Sequence, residues 1–296
     1  MHKLWSKLYL TKLKPVLNDF SAPYAIIKGP ALSQILYNDP NIREYNDLDI
    51  LICRDSIGKM KEALKKNCFH VQNYSQEREI FCELYSHQLP TYTDHTGNLI
   101  YDINFDVTWG EYDRQRIPVS DFLADTVSIN LFGFDVKTLS YENTFIQLAL
   151  HIYRDMNSIY LLATRKSINK TAFNDVYQLL VRHHDKLTPQ KLYEACQKYD
   201  IIPYAFYVLF HTGLIFNDEI LDGYISAFKS REGTELLNYY GLCDKERKPW
   251  NCDISCRLSS TDIYSLIAQD LTSSDIRKIE INKAMFRGIP NDTPGT

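Results

Sequence analysis

The sequence predicts an α+β fold, with strands and helices mixed over residues 1–139 and helices alone over 140–287. Three observations predict it. Short apolar runs such as Tyr24-Ala25-Ile26-Ile27 and the alternating stretch 99–107 carry a period of two. The pattern becomes helical at Ser140 and stays so. Two aspartates, Asp47 and Asp49, flank a leucine at the head of the apolar run Ile50-Leu51-Ile52. Side chains alternate along a strand, so those two carboxylates share a face. A charged face on a buried strand is costly unless a cation or a wet cleft receives it.

The elements follow in order. Residues 3–18 read as a helix with Leu4, Leu8 and Leu13 on its apolar side, ending near Pro15 or shortly after. Tyr24–Ile27 is a buried strand. Gly29 turns the chain, and Pro30 suits the first turn of a helix running to Tyr37. Asn38–Asn41 is a loop and Asp47–Ile52 the acidic strand. Asp55 or Ser56 caps a helix to Lys66, with Ile57, Met60 and Leu64 inward. Strands are expected at 69–74, 80–85 and 99–107. In the last, Ile100, Asp102, Asn104 and Asp106 share one face. A short helix at 119–124 and a hairpin around Gly133 close this half. Helices are expected at 140–153, 173–184, 189–198, 203–212, 218–228, 234–240 and 261–271. The tail 288–296 reads as disordered.

Composition excludes little. The chain has 296 residues, 45% hydrophobic and 24% charged, with net charge -4, as in an ordinary globular protein. That balance gives no general pull toward nucleic acid, though nucleic acid stays among the candidate partners. No apolar run approaches the roughly 20 residues of a membrane span, and the N-terminus lacks a signal-peptide core. The seven cysteines read as reduced thiols of a cytoplasmic protein. Cys252-x-x-x-Cys256, with Cys243 upstream, has no second CxxC or histidine pair and is not read as a zinc site.

A glycine turn opening a helix, followed by a buried strand bearing D-x-D, suits a metal–triphosphate. Mg²⁺ takes oxygen ligands, usually few carboxylates plus phosphate and water. Asp47 and Asp49 supply two, and Asp102 on another strand is the natural third. Gly29 lets phosphate approach the backbone, and Lys28 offers a point charge. Arg43 in the intervening loop is a further phosphate or aspartate contact.

These residues resemble a known group. Ile27-Lys28-Gly29-Pro30-Ala31-Leu32, then Leu36-Tyr37-Asn38-Asp39-Pro40, Arg43 and Asp47-Leu48-Asp49-Ile50-Leu51 look like the uncharacterised-nucleotidyltransferase family of the DNA polymerase β superfamily. Asp102-Ile103-Asn104-Phe105 fits the family's later strand, with Asn104 where a histidine is usual. Leu148–His151 and Phe173–Val176 resemble later family motifs. The resemblance covers about 24–180, and more loosely reaches Arg257.

The resemblance implies a polymerase-β-like mixed sheet with flanking helices, then a helical C-terminal domain. It implies a catalytic domain at 1–139, a helical domain at 140–287, and Mg²⁺, with Mn²⁺ as a substitute. The reaction is transfer of a nucleoside monophosphate from NTP, with ATP favoured, to a hydroxyl of a small molecule, a peptide or protein, or RNA. Asp47, Asp49 and Asp102 are the expected catalytic and metal residues, and Lys28, Gly29 and Arg43 the nucleotide contacts. Asn104, Asp106, His151 and Asp175 are secondary site candidates. Pro30 has no N–H for phosphate and Asn104 does not ionise. These departures keep open a catalytically silent nucleotide-binding or scaffold module. A toxin-like enzyme acting on tRNA is the third reading.

Overall fold

The computed structural model describes residues 2–110, 112–165 and 167–286. The expected tail at 288–296 lies outside them. The chain divides into two compact units. The first comprises 2–110, 117–140 and 283–286 of the described residues, the second 112–116 and 141–282.

The first unit opens on α1 (His2–Asp19), which continues through Pro15. A proline inside a helix costs about 3 kcal/mol. Here burial of Tyr9, Leu10, Leu13, Val16 and Phe20 spans both sides of it. Leu8, expected inward, is exposed. The register of the buried stripe follows Tyr9 and Leu10 instead.

β1 (Tyr24–Ile27) leads into α2 (Gly29–Tyr37), then β2 (Leu48–Ile52) and α3 (Ile57–Lys66). Next come β3 (His70–Val71), α4 (Gln76–Tyr85), β4 (Tyr92–Thr93) and β5 (Ile100–Asn104). The strands form one five-stranded sheet in the order β1-β2-β5-β4-β3. β2 and β5 run parallel, and the other neighbours antiparallel. A parallel pair needs a long crossover, and residues 53–99 supply it. Every residue of β2 is buried, as suits a central strand.

The expected strand at 80–85 is helix α4. Ser75 caps it, accepting from the Arg78 amide, and Glu77 and Glu79 lie in its first turn. Cap and acidic first turn favour helix over the β propensity of Ile80, Phe81 and Tyr85. The expected strand at 69–74 shrinks to the two residues of β3. α5 (Val119–Ala124) and the hairpin β6 (Thr126–Leu131) with β7 (Phe134–Leu139) follow.

The second unit is helical: α6 (Tyr141–Asn157), α7 (Ile159–Thr164), α8 (Thr171–Arg182), α9 (Pro189–Gln197), α10 (Ile202–Phe216), α11 (Ile220–Phe228) and α12 (Arg231–Leu236). Two-residue strands β8 (Tyr239–Tyr240) and β9 (Lys248–Pro249) interrupt it before α13 (Ile254–Ser259), α14 (Ile263–Ile267) and α15 (Ser273–Phe286). Among the described residues no helix is long and apolar enough to cross a membrane.

Candidate active site

Strand register assembles the site. Asp49 stands directly opposite Asp102 across the parallel pair β2–β5, and Ile27 stands opposite Asp49 across β1–β2. The residues following Ile27 are Lys28 and Gly29, so the strand-to-helix turn opens beside the two carboxylates. Asp47 lies one residue ahead of β2.

That turn is strained. Lys28 has φ 59° and ψ −157°, a region occupied essentially by glycine and costing on the order of 1–3 kcal/mol. Gly29 has φ +45°. A Cβ on Gly29 would meet the Asp47 carbonyl at 3.5 Å and the Tyr45 ring at 3.7 Å. Those are ordinary contacts, so conformation rather than space calls for glycine. The Lys28 side chain nonetheless reaches inward. Its Nζ lies 3.3 Å from Asp49 Oδ1.

Asp49 is buried at 5% exposure. Its Oδ1 accepts from both Lys28 and Asn104 Nδ2, the latter at 3.1 Å. No donor among the described residues reaches its Oδ2. Asp102 Oδ1 accepts from Thr91 Oγ1 at 2.7 Å, and Gln88 also hydrogen bonds to this carboxylate. Burial, then Asp49 and Asp102, push the Asp47 carboxyl up to about 7, with Lys28 and Arg43 opposing. Burial and Asp49 push Asp102 up to about 6, against Thr91, Lys28 and Gln88. The carboxylates repel one another, and the nearby cations only partly offset the cost.

Tyr9 fixes the frame from α1. Its hydroxyl donates to the Asn46 carbonyl at 2.7 Å and accepts from the Ile100 amide at 3.3 Å. It thereby ties the residue before Asp47 to the start of β5. Tyr9, Thr91 and Gln88 were not found by sequence reasoning. Thr91 and Gln88 lie just ahead of β4, a strand of two residues, too short for a periodic signal.

The remaining expected residues divide. Arg43 acts on Asp47 by charge, and its amide is held by Ser33 Oγ at 3.1 Å. Asn104 joins the site through Asp49. Asp106 is buried and caps the turn after β5, accepting from the Thr108 amide at 2.8 Å and hydroxyl at 2.7 Å. His151 and Asp175 belong to the second unit. His151 Nε2 lies 3.5 Å from Asp155 Oδ2, in a network where Arg154 and Arg165 also bind Asp155. Burial opposes the Asp155 charge, but His151, Arg154 and Arg165 outweigh it and hold that carboxyl well below the usual range. Asp175 is buried in α8.

The donor chemistry fits a divalent cation. Three carboxylates offer hard oxygens, Asp49 Oδ2 meets no donor among the described residues, and Lys28 stands beside them. No trio of His, Cys, Asp or Glu among the described residues is spaced as a ready-made cage. Mg²⁺ does not require one, since phosphate and water complete its shell.

The model of the uncharacterised nucleotidyltransferases matches residues 6–217, well over half of the chain. The chain belongs to that family. The match starts in α1, takes in the whole carboxylate site, and ends at the residue after α10. Solved structures to which the chain is similar include the following. The antibiotic-resistance factor ANT(2'')-Ia in solution is 12% identical with a TM-score of 0.44, over 68% of this chain and 93% of that one. The crystal structure of ANT(2'')-Ia in complex with adenylyl-2''-tobramycin gives 12% and 0.41, over 66% and 99%. An antigenic nucleotidyltransferase-like protein from Paracoccidioides brasiliensis gives 20% and 0.33, over 73% and 96%. No protein with a curated description matches the chain by sequence.

Proposed function

We propose that this nucleotidyltransferase transfers a nucleoside monophosphate from an NTP, ATP first among them, to an acceptor hydroxyl, with Mg²⁺ held by Asp47, Asp49 and Asp102. The observation that carries the reading is the register: Asp49 faces Asp102 across β2–β5 while the Lys28-Gly29 turn opens beside Asp49. A bound divalent metal would neutralise triphosphate charge and align the attack. Lys28 and Arg43 hold phosphate oxygens, and the Gly29 turn admits them close to the backbone. Asp102 orients the acceptor hydroxyl. It takes the hydroxyl proton as the oxygen attacks the α-phosphorus and pyrophosphate leaves. Thr91 fixes the Asp102 carboxylate for that role.

Residues 1–139 serve as the catalytic domain and 140–287 select the acceptor. The modest net negative charge favours a small molecule or a protein over RNA as that acceptor. Seven free cysteines support a cytoplasmic setting. One observation favours a second reading, a silent nucleotide-binding module: Asn104 and Lys28 both already occupy Asp49 Oδ1.

The test is incubation of the protein with each α-labelled NTP, Mg²⁺ or Mn²⁺, and a cell extract. The expected result is covalent label on an acceptor, lost in Asp47→Asn. NTP binding by calorimetry with no transfer from any nucleotide would establish the silent reading instead.

A further inference from the structure

Two thiols in the second unit lie at one helix entry, four residues apart. Cys252 immediately precedes Asp253, the N-cap of α13, and Cys256 is the third residue of that helix. Asp253 Oδ1 accepts from the Cys256 amide at 2.7 Å, which folds the helix entry back on itself. Cys252 just ahead of the cap and Cys256 in the first turn are thereby brought to the same side of the helix entry, where each feels the other. Arg257 holds the turn from the other side. Its Nε donates to the Asp253 carbonyl at 3.2 Å, and its guanidinium lies over the Trp250 ring, 4.8 Å from the centroid. The pair is thus set by backbone capping and by a buried arginine, not by the sulfurs. Cys256 is exposed and Cys252 half-buried, so reagents reach the pair from solvent.

We propose that Cys252 and Cys256 form a dithiol site that a small-molecule disulfide of the glutathione class oxidises to an intramolecular disulfide. The exposed Cys256, as thiolate, attacks one sulfur of the reagent. The reagent's S–S bond breaks and one glutathione thiolate leaves. Cys252, as thiolate, then attacks the Cys256 sulfur, and the second glutathione departs. The protein loses two protons and two electrons, and the reagent becomes two thiols. Burial, then the neighbouring Cys256, raises the Cys252 thiol, which leaves the first attack to Cys256; in the intramolecular step proximity offsets the small thiolate fraction of Cys252. Cys82 and Cys196 are buried and stay out of this exchange. Cys68 is exposed and reports on a single thiol.

The test treats the full native chain with oxidised glutathione, quenches with acid, and maps tryptic peptides. Residues 248–257 leave as one peptide with both cysteines, because Lys248 precedes proline. The expected wild-type product is that peptide lighter by two hydrogens and free of glutathione, while Cys68 carries the adduct. Cys252→Ser is expected to trap glutathione on Cys256. A stable glutathione adduct on this peptide in the wild type would overturn the proposal. So would a fully reduced peptide under conditions that modify Cys68.

Discussion

Asp102→Asn separates charge from shape at the carboxylate site. Asparagine keeps an oxygen to accept from Thr91, now bonded at 2.7 Å, and removes a charge facing Asp49. The cost of that charge follows from the Asp102 carboxyl, which burial and then Asp49 push from 3.8 up to about 6. A shift of about 2 units corresponds to roughly 3 kcal/mol. Partial solvent screening reduces the realised penalty to roughly 1–2 kcal/mol. A carboxyl raised in the folded state contributes stability fully below pH 3.8 and loses it as pH rises through about 6. Above that, the metal-free wild type carries the whole penalty and the variant none. In EDTA at about pH 8 the variant should therefore melt roughly 2–6 °C higher. Transfer should fall by about 10²-fold or more, the usual scale for a group acting on transition-state charge. Added Mg²⁺ should raise the wild-type Tm more than that of the variant. Differential scanning calorimetry and labelled-NTP transfer read both arms. A folded variant that melts at or below wild type in EDTA, or that keeps activity, refutes the reasoning.

Other perturbations test neighbouring claims. Lys28→Met removes the cation on Asp49; the KM for NTP should rise about tenfold, the scale of one charge-assisted hydrogen bond, and an unchanged KM would exclude Lys28 from phosphate binding. Gly29→Ala places a Cβ at φ +45°, which should cost roughly 1–2 kcal/mol and lower the Tm; an unaltered melting curve would show that the turn relaxes freely. His211, buried in α10, is pushed down to about 3 by burial and by Arg257, against the hydrogen bond to the Tyr207 carbonyl. A depressed base loses its stabilising contribution as pH falls from about 6.5 toward 3, by up to roughly 1.4 kcal/mol per pH unit. Melting curves across that range should slope for wild type and flatten for His211→Met; parallel slopes would count against a neutral buried histidine.

The legible and illegible parts of this molecule differ in a physical way. Asp47, Asp49 and Asp102 stand out because each interrupts or heads an apolar run. A charge there is costly unless the fold gathers such residues at one place, and strand alternation gives the face. The same logic makes β1, α2 and β2 readable, since glycine, proline and an apolar run mark each boundary. The α4 segment misled for the opposite reason. Its apolar residues are few and β-prone, while the deciding signals, the Ser75 cap and the acidic first turn, lie outside the apolar run. Helices α7 and α15 carry no clear apolar stripe from which to be anticipated. The partners that tune the carboxylates were beyond reach altogether. Thr91 and Gln88 meet Asp102 only because β4 and the bridge from Gln88 to Asn104 lie along β5, and Tyr9 reaches Asn46 and Ile100 from α1. Lys28 is the sharpest case. Nothing in a lysine forecasts a glycine-like backbone, yet Lys28 adopts one and sets its ammonium 3.3 Å from Asp49. Sequence therefore shows where charge is expensive, and the fold shows what was arranged to balance it.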